Sequence, residues 1–179
     1  LAAAPTPIRV NCAFQRIDIV LCPDPDVFQH GNPLQGLADG GVLVLQSEGE
    51  SPAAVWAALP VEARKRIVEH GIRMFHLDAF KVAREVAPGP RLEVAMCDVA
   101  FLGAFFRTAP VMHTARLTEA ALFRRMKQRF AEEAGDENPV RAEHSIEAFR
   151  RGFHETAEIE EKPLPEAAPA PLRKTPVMP

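Results

Sequence analysis

A chain of 179 residues with 47% apolar content is long enough for one well-buried core and short for two domains. Its 21 cations against 24 anions leave a formal net charge of −3, so no global positive field points to nucleic acid or to an anionic membrane. Cys12, Cys22 and Cys97 are odd in number and far apart, without a C-x-x-C, which argues against a disulfide framework or a zinc knuckle and fits a reducing, cytoplasmic compartment. No secretory leader pattern and no apolar span long enough to cross a bilayer is visible, and LAAAPTPIRV, opening on Leu1, reads as the start of a segment cut from something longer.

The first strand signal is Ile17 to Cys22, apolar and β-branched, stopped by the turn residues PDPD. It reads as a strand at or near a sheet centre. A short helix around Asp26 to Leu37 is expected next. Ala38-Asp39-Gly40-Gly41 then reads as a turn launching Val42 to Gln46 as a second strand. Neither strand alternates, which predicts cover on both faces. Ser51-Pro52 supplies an N-cap and a proline at the first helical position, ahead of the apolar face Val55, Trp56 and Leu59. Pro60 ends that helix and begins another through Glu62 to His70, with Gly71 as its C-cap.

Ile72 to Leu77 is a third strand, and the order strand, helix, strand, helix, strand predicts parallel crossovers. The fold class is α/β, doubly wound, a mostly parallel sheet with flanking helices, as a partial domain. Arg91 to Arg107 is apolar on nearly every side and reads as a helix buried almost all round, with Ala95, Ala100, Gly103 and Ala104 permitting a close neighbour. Thr118 caps a helix whose inner face is Leu122, Phe123, Met126 and Phe130, while Arg124, Arg125, Lys127 and Arg129 form a solvated face. Asn138-Pro139 opens a last helix with Ile146, Phe149 and Phe153 at helical spacing. From Lys162 the chain changes character: six prolines in its final 17 residues make residues 161–179 a linker or a strap across a neighbour, distinct from a unit over 1–160.

The search for chemistry is mostly negative. There is no phosphate-binding P-loop, nucleophile elbow, H-E-x-x-H or G-x-G-x-x-G after a strand, so no catalytic set and no metal site is assigned. His76 reads as a satisfied core histidine, His113 as a helix-lead or surface residue and Cys22 as a small buried hydrophobe. Asp24, Ser47 and Asp78 lie at the carboxyl ends of the strands, where open parallel sheets bind ligands. Lys81 and Arg84 follow the third strand. They can hold a phosphate-bearing ligand, pair with acids across an interface, or form a plain surface pair.

Taken in order, GGVLVLQSEGESPAAVWAALP, IRMFHLDAFKVAREV, FLGAFFRTAP and SIEAFRRGF resemble the gamma domain of pyruvate:ferredoxin oxidoreductase and related 2-oxoacid:ferredoxin oxidoreductases, over roughly residues 7–156. The most specific piece is Leu77 to Ala83, which resembles the family's IDAYKVA. The resemblance implies membership of a large modular enzyme that decarboxylates a 2-oxoacid on thiamine diphosphate and magnesium. Such an enzyme passes electrons through 4Fe–4S clusters to a ferredoxin-type acceptor and transfers the acyl group to coenzyme A. It further implies a homo-oligomeric parent in which this segment packs among other domains or subunits, holds neither thiamine nor clusters, and lies near coenzyme A, with Lys81 and Arg84 facing coenzyme A, a neighbouring domain or only water. The family's opening glycine-rich GxGGQG unit has no counterpart here, so no coenzyme A residue is carried over from it.

Overall fold

The computed structural model describes residues 16–49, 51–135 and 139–164. Four strands, β1 (Ile17–Cys22), β2 (Leu37–Gln46), β3 (Arg73–Leu77) and β4 (Ala157–Glu158), form one sheet in that order. β1 pairs parallel with β2 and β2 with β3, whereas β4 runs antiparallel to β3, Phe75 facing Glu158 and His76 facing Ala157. The helices are α1 (Val27–His30), α2 (Pro52–Ala58), α3 (Val61–Glu69), α4 (Ala79–Val86), α5 (Pro90–Thr108), α6 (Val111–Thr114), α7 (Glu119–Ala134) and α8 (Pro139–Glu155).

The unalternating strand β2 is buried on both sides from Val42 to Gln46, as its composition requires. Leu43 and Leu45 face a core shared with Val55 and Trp56 of α2 and Ile67 of α3. Val42 and Val44 face the opposite core, built from Phe75, Leu77, Val82, Met96 and Ala100 of β3, α4 and α5. A third cluster joins Leu122 and Phe130 of α7 to Phe149 and Phe153 of α8, which completes the inner faces expected from helical spacing.

Local signals act as their chemistry dictates. Ser51 Oγ accepts from the Ala54 amide at 3.2 Å and Thr118 Oγ1 from Ala121 at 3.3 Å, each satisfying a donor at a helix start. Gly71 takes a φ of 60° just past α3, a left-handed conformation that glycine adopts without strain. Asn138, expected to open the last helix, lies outside the described residues.

Four expectations are corrected. β1 lies at the end of the described sheet, not its centre, and Ile17 to Leu21 are only half-buried or exposed. The helix expected over Asp26 to Leu37 is one turn, α1. The turn at Ala38 to Gly41 is instead the opening of β2, where the register slips between Ile17↔Leu37 and Ile19↔Val42 and Gly40 reaches a φ of 70°. A glycine that suits a turn equally suits a bulge. Finally, α5 is not buried all round: Arg91, Val94, Asp98 and Arg107 are exposed, Val94 at 74%.

Two features tie the layers together. Where α5 crosses α8, a Cβ added at Gly152 would sit 2.0 Å from the Ala100 carbonyl oxygen, and one at Gly103 2.2 Å from that of Phe149, so backbone lies against backbone. Past β4, the Ile159 amide donates to Met74 O at 2.8 Å, Lys162 Nζ to Ile72 O at 3.1 Å, and Trp56 Nε1 to Pro163 O at 2.9 Å. This strap crosses from the sheet edge to α2.

Candidate functional site

At the carboxyl ends of β2 and β3 a polar network replaces the apolar core. Gln46, 1% exposed, accepts from the Ala79 amide through Oε1 at 3.0 Å. Its Nε2 donates to Ser47 O at 3.1 Å and to Asp78 Oδ1 at 3.3 Å. Asp78 Oδ1 also accepts from the Lys81 amide at 2.9 Å, closing the first turn of α4. Gln46 and Asp78 thus take up two of the free amides at the N-terminus of α4.

Ser47 Oγ lies 3.0 Å from His76 Nδ1, one strand over, which bears out a partnered histidine inside the sheet. Asp24 accepts from the Asp26 amide at 2.9 Å and meets His30 Nε2 at 2.8 Å, holding α1 against the end of β1. Of the three residues expected at the strand ends, Asp24 and Asp78 thus shape loops and caps. Ser47 alone lines a cavity of about 440 Å3, together with Phe28 and Gln29 of α1, Leu45, and Val55 and Leu59 from α2 and its end.

Lys81 and Arg84 stand on the exposed face of α4, opposite the buried Ala79, Val82, Ala83 and Val86. Neither enters an ion pair among the described residues. The structure separates their surroundings. Arg84 borders a second cleft of about 380 Å3 with Phe80, Val94 and Cys97 on its walls and the carboxylates of Glu93 and Asp98 beside it, whereas Lys81 is not part of that lining.

Cys22 and Cys97 are buried free thiols. Burial, reinforced by Asp24, pushes the Cys22 thiol up to about 11, and burial with Asp98 does the same to Cys97, also to about 11. Cys22 belongs to the core under α2 and α3 and Cys97 to the core under α4 and α5, so the sheet lies between them. They do not fit an iron–sulfur cluster, which needs several convergent thiolates. Among the described residues no group of three or more His, Cys, Asp or Glu is placed to hold a metal ion. No helix among them is long and apolar enough to cross a membrane.

Residues 1–155 match the model of the pyruvate ferredoxin/flavodoxin oxidoreductase family. The chain belongs to that family. It is 28% identical over 106 residues to the pyruvate:ferredoxin oxidoreductase of Moorella thermoacetica, covering 59% of this chain and 8% of that protein. It is 30% identical over 109 residues to the pyruvate-flavodoxin oxidoreductase of Rhodospirillum rubrum, covering 60% of this chain and 9% of the other. This member of the oxidoreductase family therefore spans less than a tenth of the curated relatives it matches. Its fold is similar to the crystal structure of the pyruvate oxidoreductase subunit PORC from Thermotoga maritima, with a TM-score of 0.51 at 17% identity over 83% of this chain and 68% of that one.

The sequence pointed to Ser47 and Arg84 at the two clefts but missed Phe28, Gln29 and Gln46. No motif marks them. Gln46 follows a run of buried strand residues, and a glutamine completing such a run is the one signal that could have been found, since a polar side chain there must meet a partner.

Proposed function

We propose that this chain is a gamma-type module of an oxidoreductase that oxidatively decarboxylates a pyruvate-type 2-oxoacid to an acyl-coenzyme A and delivers electrons to a ferredoxin-type acceptor. Residues 1–160 form the module and 161–179 a linker or strap. The module carries no catalytic residue of its own. Thiamine diphosphate, magnesium and 4Fe–4S clusters belong to other domains or subunits of a cytoplasmic, homo-oligomeric parent. Its own part is structural and coenzyme A-proximal.

The observation that carries this reading, beside the family match, is the position of Lys81 and Arg84. Both are exposed on α4 without ion-pair partners among the described residues, and Arg84 borders a cleft walled by Phe80, Val94 and Cys97, with Glu93 and Asp98 beside it. Such a surface suits contact with a phosphate-bearing ligand or a neighbouring domain. Titration of the intact parent with coenzyme A, before and after Lys81→Ala and Arg84→Ala, tests the ligand half. Loss of affinity in either variant supports it, and unchanged affinity in both removes it. The isolated chain is expected not to reduce a viologen dye on addition of a 2-oxoacid and coenzyme A; reduction would refute the assignment of chemistry to other domains.

A second reading is an assembly domain without any ligand. Glu93 and Asp98 favour it, because two carboxylates bordering the same cleft as Arg84 repel a phosphate and suit a salt-bridged protein contact.

A further inference from the structure

The cavity of about 440 Å3 at the ends of β1 and β2 is separate from the Arg84 cleft and has a different chemistry. One part of its wall is apolar, with Leu45, Val55 and Leu59 buried and Phe28 beside them. Its polar lining combines the side-chain amides of Gln29 and Gln46 and the Ser47 hydroxyl with two carboxylates. Asp26 and Glu48 supply carboxylates; one Asp26 oxygen takes Gln29 Nε2 at 2.6 Å, and Glu48 enters no ion pair among the described residues. No Lys or Arg is among the lining residues. Ser47, 4% exposed, spends one hydrogen bond on His76 and keeps further capacity, since a hydroxyl has one donor and two acceptor sites.

We propose that this cavity binds a small organic cation: an apolar body carrying an ammonium group. The apolar part of the wall takes the body, as ligand cavities of this size do. The ammonium meets Asp26 and Glu48, which lie at the exposed mouth of the cavity. An anion of the same shape meets two carboxylates and no cation. Position supports the assignment, because carboxyl ends of parallel strands are where such sheets place ligand crevices.

The test keeps the body constant and swaps the charge. Phenethylammonium, phenethyl alcohol and phenylpropanoate are titrated into the intact protein by saturation-transfer NMR. The expected order is ammonium, then alcohol, then carboxylate, with a span of at least about tenfold at low salt that shrinks as salt is added. Glu48→Gln and Asp26→Asn should each reduce the span to a few-fold. Ala58→Trp, at an exposed helix position bordering the cavity, should fill it and abolish binding of all three while the fold is kept. Equal binding of the three probes, preference for the carboxylate, no binding by any, or ammonium binding that survives Ala58→Trp would each overturn the proposal.

Discussion

Replacing Gly152 by alanine separates two effects of opposite sign. In an ordinary exposed helix the change stabilises by about 1 kcal/mol, because alanine loses less backbone freedom on folding. Here the new Cβ would lie 2.0 Å from the Ala100 oxygen, 2.6 Å from its carbonyl carbon and 2.7 Å from its Cα. All three are backbone atoms of α5, so no side chain can rotate away. A normal contact requires retreat by about 1 Å or more, and separating α5 from α8 loosens the packing of Ala100, Ala104 and Phe149. Overpacking of this kind costs about 1–3 kcal/mol, and more where backbone must move. We expect a net loss of at least about 2 kcal/mol, a fall in Tm of roughly 4–8 °C for a chain of this size, read by urea and thermal melts followed by far-ultraviolet circular dichroism. Gly103→Ala should behave alike, since its Cβ would meet Phe149 O at 2.2 Å and Phe153 N at 2.7 Å. One separation relieves both clashes, so the double variant should lose clearly less than the sum of the two. A rise in Tm for Gly152→Ala, or strict additivity, would refute the backbone-on-backbone contact.

Gln46→Leu should destabilise by about 1–3 kcal/mol, because the Ala79 amide would be left buried without its acceptor; faster hydrogen exchange at that amide checks the cause. The Arg73 guanidinium, hydrogen-bonded to Glu158 at 2.8 and 3.0 Å, holds the Glu158 carboxyl below its ordinary value. A depressed carboxylate stabilises the fold above its unfolded pKa and loses that effect as pH falls through the folded one. Arg73→Met should therefore cost up to about 1 kcal/mol at neutral pH, given partial solvent screening, with the gap to wild type closing below about pH 4 in urea melts. In a Cys12→Ser background at pH 8, Cys22 and Cys97 should resist thiol-specific alkylation. With thiols at about 11, roughly one in a thousand is ionised, and denaturant should raise the rate by about one hundredfold or more. Fast labelling of the native protein would contradict their burial.

What could be read from the residues was local. Ser51-Pro52 and Thr118 carry their own capping chemistry, and the spacings of Leu122, Phe130, Phe149 and Phe153 assign faces without knowledge of the partner. What could not be read depends on distant chain. β4 is two residues long and exists because Phe75 and His76 offer an edge some eighty positions earlier. α5 looks uniformly apolar in sequence, yet which of its sides is covered depends on where α4 and α8 cross it. The cavity lies between α1 and α2, and only the pairing of β1 with β2 brings Phe28 near Val55. Gly40 shows the limit in a single residue, since a left-handed glycine announces a change of direction but not whether a strand ends there or bulges.

The strap has an optical consequence. The chain holds one tryptophan and no tyrosine, and that tryptophan is the one whose indole is bonded to Pro163. Within this segment, emission and near-ultraviolet dichroism come from Trp56 and, weakly, from phenylalanine. Peeling the strap from α2 would cut the indole's hydrogen bond and wet a ring that is otherwise 2% exposed. The fold thus carries a built-in chromophore for one event, the seating of residues 159–163 against β3 and α2, readable without a label and separable from melting of the helices at shorter wavelength.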